Sequence, residues 1–471
     1  MKRFYIRTLG CQMNMHDSDR VHELLCDAGM SPVDAPELAD LVVVNTCSVR
    51  EKAESKLDSE LGKLRKLKTS RKGAMVLVVA GCVAKQRGQA MLDRMPFVDV
   101  VLGPDNLMSL PRLATAAAMG APPTVATDWD VDQPTFLRSR ASNEGLRPSA
   151  FVSISKGCNE RCSYCIVPST RGPERHRPAS EIVDEIQELV SFGALEVILL
   201  GQTVNGYQDP TGELGARPSH ALSDFGALLQ RIARDVPRLA RLRYTSPHPR
   251  YFDPSVIEAH RQLEVLCAHV HMPVQSGSDR MLKRMIRRHD RAEYLEAIRQ
   301  LRRARPGLTV STDLIVGFPT ETDDDFEQTL SLMQEVPFLG VYAFKYSPRP
   351  GTAALRLGDD VPDSLKAERL ARVFDLSERC MQQHLEGLVG TSQRVLIEEP
   401  NARGDGGVSG HTDRNEIVHV EPSGGLRVGD GIVPLRIVRA YKHSLVGELD
   451  RTDATVKNNL RYRLAVVSGE P

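Results

Sequence analysis

The sequence lacks the features that would assign it to a special class of protein. Its 61 basic residues balance its 61 acidic residues, so composition indicates neither a nucleic-acid nor a membrane partner. No run approaches about 18 consecutive apolar residues, so we predict no membrane-spanning helix. No apolar segment follows the strand pattern at Met1–Arg7, so we predict no signal peptide and a cytoplasmic protein. Internal repeats and low-complexity tracts are also absent.

The cysteine content does not suit a disulfide-bonded protein. Nine cysteines are an odd number in a long chain without a secretion signal, which argues against a disulfide framework. Reduced thiols then serve as core side chains, nucleophiles or metal ligands. The rest of the composition, 41% hydrophobic and 26% charged residues, is ordinary for a globular protein. A length of 471 residues predicts about three domains.

The first region, residues 1–118, alternates short apolar runs with helical patterns. This alternation predicts a doubly wound parallel sheet. The predicted strands are Phe4–Thr8, Leu41–Val44, Val76–Ala80 and Val98–Leu102. A helix is predicted over Asp17–Ala28, with Asp17 or Ser18 as its N-cap. Residues 119–143 have weak periodicity and predict a linker; they contain Gly120, Pro122, Pro123, Pro134 and Asn143.

The second region, residues 144–376, carries six further strand-and-helix units. These units predict a partial parallel (β/α)6 barrel, with its active site at the carboxyl ends of the strands. The predicted strands are Phe151–Ser155, Glu196–Leu200, Leu242–Thr245, Val270–Pro273, Val310–Val316 and Val341–Tyr346. Residues 379–449 consist of short apolar runs broken by glycines, which predicts a small antiparallel β-barrel. We predict that residues 450–471 form an irregular tail.

A C-x3-C-x2-C motif lies at the start of the second region. Cys158, Cys162 and Cys165 place three thiolates within eight residues, and thiolates suit zinc or iron–sulfur clusters. Structural zinc takes four ligands, and ferredoxin clusters need four cysteines at other spacings. Three cysteines on a 4Fe–4S cube leave one iron open to chelate S-adenosylmethionine. The motif resembles that of the radical S-adenosylmethionine (radical SAM) enzymes; the alternative is a structural zinc site.

A second triad is spread over the first region. Cys11, Cys47 and Cys82 each directly follow a predicted strand. The carboxyl ends of neighbouring parallel strands share one crevice, so the fold would bring these cysteines together around a second cluster. The alternative is three buried core thiols. The other three cysteines are interpreted as packing residues: Cys26, Cys267 and Cys380.

Motifs along nearly the whole chain are similar to those of the methylthiotransferases, a family of radical SAM enzymes. They are Gly10-Cys11-Gln12-Met13-Asn14, Asn45-Thr46-Cys47-Ser48-Val49-Arg50-Glu51-Lys52-Ala53, Gly81-Cys82-Val83-Ala84, Arg171-Gly172-Pro173-Glu174-Arg175, Gly201-Gln202-Thr203-Val204-Asn205, Thr245-Ser246-Pro247-His248-Pro249, Pro273-Val274-Gln275-Ser276-Gly277-Ser278 and Tyr346-Ser347-Pro348-Arg349-Pro350-Gly351-Thr352. The chain departs from the family pattern at Thr203, where Asn is usual, and at His176, where Ser is usual.

The resemblance implies an N-terminal cluster domain, a radical SAM core and a C-terminal TRAM domain, an OB-like RNA-binding barrel. It implies two 4Fe–4S clusters: an auxiliary cluster on Cys11, Cys47 and Cys82, and a radical SAM cluster on the other triad. The implied reaction inserts sulfur and then methyl at C2 of N6-isopentenyladenosine beside the anticodon of tRNA, at position 37. S-adenosylmethionine would supply the radical and the methyl group. A flavodoxin- or ferredoxin-type protein would supply the electron, and we expect a monomer.

Further residues are candidates for cofactor or RNA contacts. Polar side chains that follow predicted strands would bind S-adenosylmethionine, or else only hydrogen-bond within loops: Gln202, Asn205, Ser246 and Gln275. Gly317-Phe318-Pro319 would let the adenine approach the backbone. The basic runs at 61–72 and 280–305 would contact phosphates or form solvated helix faces.

Three alternative functions remain open at this point. Other branches of the family methylthiolate threonylcarbamoyladenosine in tRNA or an aspartate of a ribosomal protein. Gln12–Asn14 and Ser48–Ala53 favour the isopentenyladenosine branch. An alternative of another class is a zinc-stabilised RNA-binding protein without catalytic activity.

Overall fold

The structure, a computed structural model, describes residues 1–48, 51–71, 75–132, 134–139, 148–401, 404 and 406–452. The strands of the first unit are β1 (Arg3–Leu9), β2 (Ser31–Pro32), β3 (Leu41–Thr46), β4 (Val76–Gly81), β5 (Val100–Leu102) and β6 (Thr124–Ala126). Its helices are α1 (Gln12–Asp27), α2 (Glu51–Ser70), α3 (Cys82–Arg87), α4 (Gln89–Arg94) and α5 (Leu110–Ala118). The six strands form one parallel sheet in the order β2-β1-β3-β4-β5-β6.

The central strands of this sheet are apolar along their whole length because both faces are covered. Val42 and Val44 of β3 pack in one core, and Leu41 and Val43 pack in a second core on the other face. Continuous burial of this kind is typical of a parallel strand between two helical layers. The predicted doubly wound sheet is therefore confirmed.

Two details of the first unit correct the sequence predictions. Helix α1 begins at Gln12, with Cys11 at its N-cap position and no side-chain cap, so neither Asp17 nor Ser18 is the cap. Asp17 instead lies within the helix and is buried. Strand β6 lies in the segment predicted to be a linker, and it pairs with β5 as the edge of the sheet. Of that segment, residues 133 and 140–143 lie outside the described residues.

The second unit is a partial parallel barrel with helices outside it. Its strands are β7 (Ser149–Ser153), β8 (Ser155–Lys156), β9 (Arg175–His176), β10 (Glu196–Leu200), β11 (Arg241–Tyr244), β12 (His269–His271), β13 (Thr309–Val316) and β14 (Gly340–Lys345). Its helices are α6 (Val167–Arg171), α7 (Ala179–Ser191), α8 (Phe225–Asp235), α9 (Pro254–Gln262), α10 (Asp279–Arg284), α11 (Arg291–Ala304), α12 (Asp323–Glu335) and α13 (Asp363–Glu386). The six barrel strands form two parallel ladders, β11-β10-β7 and β12-β13-β14, while β8 and β9 pair antiparallel.

The last unit is a closed five-stranded barrel. Its strands are β15 (Ser392–Pro400), β16 (Val408–Thr412), β17 (Ile417–Val420), β18 (Ile432–Ala440) and β19 (Leu445–Leu449), in the order β15-β16-β17-β19-β18. The predicted barrel is confirmed, although β17 and β19 pair parallel rather than antiparallel. The sequence analysis did not predict strand β16. Of the predicted tail, residues 453–471 lie outside the described residues.

Arginines fasten this small barrel to the partial barrel. Arg241 of β11 donates hydrogen bonds to the carbonyl oxygens of His411 (2.8 Å) and Arg394 (2.6 Å). Arg243 donates to the carbonyl oxygens of Thr412 (2.5 Å) and Asp413 (3.1 Å). The small barrel is thus held near the amino ends of the parallel strands, away from the ends that carry the predicted site. In the described part of the chain, no helix combines the length and apolarity needed to cross a membrane.

Ion pairs among four buried or half-buried side chains connect the first unit to the second. Asp105 accepts from Arg175 at 2.6 Å and lies 3.1 Å from the ammonium of Lys156. Asp130 accepts from the same two cations at 2.5 and 2.7 Å. Both cations flank the C-x3-C-x2-C loop, so this network fixes the first unit against the cysteine-bearing end of the partial barrel.

Asp105→Asn should destabilise this junction, because it removes a charge that compensates two buried cations. We expect a loss of about 3–5 kcal/mol, the usual cost of breaking a buried ion pair on one side. Urea unfolding followed by circular dichroism measures it. Asp363→Asn, in an exposed pair with Lys345, is the matched control and should leave the midpoint unchanged. Equal midpoints for the two variants would contradict the role given to the network.

Candidate functional site

The structure brings together the three cysteines of the first unit. Leu9, Thr46 and Gly81 are register partners at the carboxyl ends of β1, β3 and β4. Cys47 and Cys82 follow two of these positions directly, and Cys11 lies two residues beyond the third. The backbone N–H of Cys47 donates to the carbonyl oxygen of Leu9 at 2.9 Å. The thiol of Cys11 donates to the side-chain oxygen of Asn14 at 3.3 Å.

Glycine is required beside two of these cysteines. A Cβ atom at Gly10 would lie 2.7 Å from the Cβ of Cys47. Gly81 has a φ of +94°, and a Cβ there would lie 2.5 Å from the carbonyl oxygen of Thr46. Side chains larger than hydrogen would therefore push the strand ends apart, and the crevice that holds the thiols would open.

Arg171, from helix α6 of the second unit, reaches into this crevice. Its guanidinium donates to the carboxylate of Asp17 at 2.7 Å, and both side chains are about nine-tenths buried. The positive charge of Arg171 lowers the pKa values of both the Cys82 and the Cys11 thiols. A cation at this point favours anionic thiolates, as metal binding requires.

The thiols of the first triad differ in acidity. The neighbouring Cys47 side chain and the positive charge of Arg171 lower the pKa of Cys11 to about 6, against the opposing effect of burial. Burial raises the pKa of Cys82, and Arg171 opposes that rise only in part. The crevice therefore favours one thiolate and leaves a buried thiol that a bound metal would deprotonate.

The second triad lies on the loop between β8 and α6. The N–H of Cys165 donates to the carbonyl oxygen of Cys162 at 3.0 Å, which makes a tight turn. The N–H of Cys158 donates to the carbonyl oxygen of Gly172 at 3.2 Å, so the residue after Arg171 anchors this loop. The two triads are thereby connected through two adjacent residues, 171 and 172.

Polar groups surround the sulfur atoms of the second triad. The Sγ of Cys158 lies 3.2 Å from the hydroxyl of Thr203. The guanidinium of Arg287 donates to the Sγ of Cys162 at 3.5 Å. Burial raises the pKa of Cys165 to about 12, so a bound cation would be needed to hold it as a thiolate.

The donor set of each triad, three cysteine thiols, is one that suits iron–sulfur clusters. Among the described residues, no group of three or more His, Cys, Asp and Glu side chains is arranged to hold one metal ion. A cube offers each thiolate a different iron, so its ligands need not converge on one point. A cube held by only three thiolates would keep one iron without a protein ligand.

Residues of β8 and β9, and of the loops before β9 and after β10, carry buried polar atoms without partners in the described part of the chain. Both amide atoms of Gln202 are buried and have no hydrogen-bond partner among the described residues. The same holds for the hydroxyl of Ser155, Nδ1 of His176 and one carboxylate oxygen of Glu174. Unpartnered buried polar groups are costly, so this arrangement fits a polar ligand such as S-adenosylmethionine.

The other predicted cofactor-binding residues have different environments. The carboxamide of Asn205 accepts from the backbone N–H of His248 at 2.8 Å and donates to its carbonyl oxygen at 3.0 Å. Asn205 thus fixes the loop after β11. Ser246 and Gln275 have positive φ values of 58° and 78°, a strained conformation that is common at ligand-binding sites. Their assignments to the cofactor stay predictions.

Sequence reasoning missed three residues of this site: Arg171, Thr203 as a neighbour of sulfur, and Arg287. Arg171 is the first residue of the Arg171–Arg175 motif, but the motif alone did not reveal its role.

His176 is one of the two positions at which the chain departs from the family pattern. Its ring contacts the ring of Tyr207 (5.6 Å between centroids), and burial lowers the pKa of His176 to about 4. Of the cysteines interpreted as packing residues, Cys267 is buried, with its thiol 4.0 Å from Glu196.

Comparison with known proteins agrees with this architecture. Residues 152–333 match the radical SAM superfamily, and residues 3–103 match the uncharacterized protein family UPF0004. The radical SAM methyltransferase TsrM from Kitasatospora setae aligns with a TM-score of 0.52 at 17% identity, covering 75% of this chain and 77% of TsrM. The cobalamin-dependent radical enzyme OxsB aligns with a TM-score of 0.51 at 11% identity, covering 80% and 56%. These likenesses concern the fold alone.

The fold and the superfamily match define a radical SAM enzyme, whose cofactors are S-adenosylmethionine and 4Fe–4S clusters. The tRNA-2-methylthio-N(6)-dimethylallyladenosine synthase of Sorangium cellulosum is 54% identical over 466 residues, covering 95% of this chain and 93% of the relative. The synthase of Leptothrix cholodnii is 43% identical over 451 residues, covering 95% and 93%. The chain belongs to the family of tRNA-2-methylthio-N(6)-dimethylallyladenosine synthases.

Arg171→Gln combined with Asp17→Asn should weaken iron binding by the first triad. The double change removes both buried charges, so no unpaired ion remains, but the thiols lose the neighbouring cation. In a background with Cys158, Cys162 and Cys165 changed to Ala, we expect the remaining iron, about four atoms per chain, to fall severalfold. Colorimetric iron and sulfide analysis measures it.

Two controls accompany this comparison. Arg171→Lys keeps the charge and should retain most of the iron, and Arg238→Ala removes an exposed arginine elsewhere and should retain all of it. Full iron occupancy in the double variant would show that Arg171 serves only the packing of the two units.

Proposed function

We propose that the protein is a tRNA methylthiotransferase that inserts sulfur and a methyl group at C2 of N6-isopentenyladenosine, at position 37 beside the anticodon. The product would be 2-methylthio-N6-isopentenyladenosine. The observation that carries this proposal is the pair of cysteine triads on two units joined by Arg171 and Gly172. We infer that the enzyme acts in the cytoplasm, because its proposed substrate is a tRNA. The relatives named above support the choice of branch.

Each triad would have a separate task. Cys158, Cys162 and Cys165 would hold the cluster that binds S-adenosylmethionine, while Cys11, Cys47 and Cys82 would hold the cluster from which sulfur is delivered. When bound, these cofactors would supply a radical able to take hydrogen from an aromatic C–H, together with the sulfur and the methyl group. A radical suits this position because the C2–H bond is not acidic enough for a side-chain base.

The chain's own residues would orient the cofactor and keep water away from it. Gln202, Ser155 and His176 offer unpartnered buried polar atoms to the polar parts of S-adenosylmethionine. Thr203 and Arg287 contact the sulfur atoms of Cys158 and Cys162 and would hold those thiolates in place. Arg171 would compensate the negative charge of the other triad.

Replacing each triad with Ala should separate the two tasks. The intact protein, reconstituted without oxygen, should bind about eight iron atoms, and each triple variant about four. The variant that lacks Cys11, Cys47 and Cys82 should still form 5′-deoxyadenosine from S-adenosylmethionine but make no methylthiolated product. The variant that lacks Cys158, Cys162 and Cys165 should do neither. Normal product from the first variant would remove sulfur delivery from that triad.

Substrate choice should depend on the isopentenyl group. Burying its five carbons in a dry pocket is worth roughly 0.8 kcal/mol per CH₂, so isopentenylated tRNA should react well and unmodified tRNA poorly. Binding should weaken as salt rises, because phosphate contacts release counterions. We would assay isopentenylated tRNA, threonylcarbamoylated tRNA and the ribosomal protein in parallel by mass spectrometry. Product from the ribosomal protein alone, or from threonylcarbamoylated tRNA alone, would place the enzyme in another branch.

A further inference from the structure

The basic run at 280–305 does not form a single charged surface. Several of its cations make contacts within the fold: Arg280 pairs with Asp325, Arg291 with Glu335 and Arg299 with Glu296. Arg305 donates to the carbonyl oxygen of Leu263 at 3.1 Å. The cations on residues 283–288 lie beside the loop that carries the second cysteine triad. We refer to residues 283–288, which are the last two residues of α10 and the loop after it, as the rim loop.

The rim loop covers the outside of the second cysteine triad. Ser163, which lies between Cys162 and Cys165, donates its backbone N–H to the carbonyl oxygen of Met285 at 2.9 Å. Its hydroxyl donates to the carbonyl oxygen of Arg284, also at 2.9 Å. Arg287 extends inward to the sulfur of Cys162. The rim loop is therefore in direct contact with the loop that would hold the radical SAM cluster.

This surface carries several positive charges. Lys283 is exposed, Arg284 is partly exposed, and neither forms an ion pair within the described part of the chain. Arg288 is 46% exposed and lies 3.5 Å from Glu160, which is buried. Arg161, in the cysteine loop itself, is also exposed. Cations so arranged give the outside of the cluster loop a local positive potential in a chain without net charge.

An exposed apolar residue lies among these charges. Ile286 is 44% exposed and has a φ of +56°, which is a rare conformation for a β-branched residue. Leu355 is also 44% exposed, and it follows Ala354, whose N–H donates to the carbonyl oxygen of Ser163 at 2.8 Å. Apolar contacts ringed by charges are typical of small protein–protein interfaces. The strained backbone at Ile286 presents an apolar side chain where folding alone would favour glycine.

We propose that the rim loop, with Arg161 and Leu355, is the docking surface for a small acidic one-electron carrier protein that reduces the cluster on Cys158, Cys162 and Cys165. This inference rests on the proposed radical SAM chemistry of that triad. The carrier would lose one electron and the cluster would gain it, with no proton or group transferred. Encounters of this kind bury little surface and depend on charge complementarity for their rate. The direct backbone contact with the cluster loop favours an electron donor over RNA as the occupant.

Charge reversal on the rim loop tests this proposal with the cluster-loaded full-length enzyme. Lys283→Glu combined with Arg284→Glu should weaken the binding of flavodoxin about tenfold at low salt and reduce the salt dependence of binding. Titration calorimetry with oxidised flavodoxin measures this without catalysis. Arg299→Glu combined with Arg303→Glu makes the same charge change on α11 and should leave flavodoxin affinity unchanged.

A second readout separates docking from damage to the cluster. Formation of 5′-deoxyadenosine without tRNA should fall about tenfold with reduced flavodoxin as donor, and should match the wild type with dithionite, which needs no docking surface. Because no tRNA is present, an error in the proposed substrate would not affect this result. Equal flavodoxin affinity in the two double variants would overturn the proposal. A loss of tRNA affinity with unchanged flavodoxin affinity would assign the surface to RNA instead.

Ile286→Gly tests the apolar part of the surface. Glycine adopts positive φ without strain, so thermal stability should be unchanged or higher. Flavodoxin affinity should nevertheless fall severalfold, because the exposed side chain is gone. A variant that binds flavodoxin as the wild type does would exclude Ile286 from the interface.

Discussion

The ion pair between Arg171 and Asp17 joins the cysteine crevice of the N-terminal sheet to the cysteine loop of the partial barrel. Arg171 ends the short helix that follows Cys165, and Asp17 lies on the helix that begins after Cys11. Both charges are buried, so either would be costly without the other. The same arginine reaches Cys82 and Cys11. This pairing joins residues 154 positions apart in sequence, and it brings together the helix that follows Cys11 and the helix that follows Cys165.

Much of this arrangement could be predicted because the relevant signals are local. Apolar runs such as Glu196–Leu200 and Ile417–Val420 gave strands with the observed bounds, and the pattern at Arg291–Ala304 gave the observed helix. The two cysteine triads could be found since a parallel sheet places the carboxyl ends of its strands at one edge. The chemistry of three thiolates then indicated clusters with an open iron.

The remaining features depend on contacts between residues far apart in sequence. Nothing near Arg287 indicates that it reaches Cys162, 125 residues away, and the same holds for Thr203 and Cys158. Strand β6 looked like part of a linker because glycine and prolines flank it, yet pairing with β5 decides its structure. The basic run at 280–305 read as one feature, whereas tertiary contacts divide it into structural pairs and an exposed loop.

Deletion of the gene, followed by mass spectrometry of tRNA nucleosides, tests the central claim most directly. The account predicts that 2-methylthio-N6-isopentenyladenosine disappears and N6-isopentenyladenosine accumulates. A plasmid copy of the intact gene should restore the modified nucleoside, and a copy that lacks either cysteine triad should not. An unchanged level of 2-methylthio-N6-isopentenyladenosine in the deletion strain would contradict the proposed function.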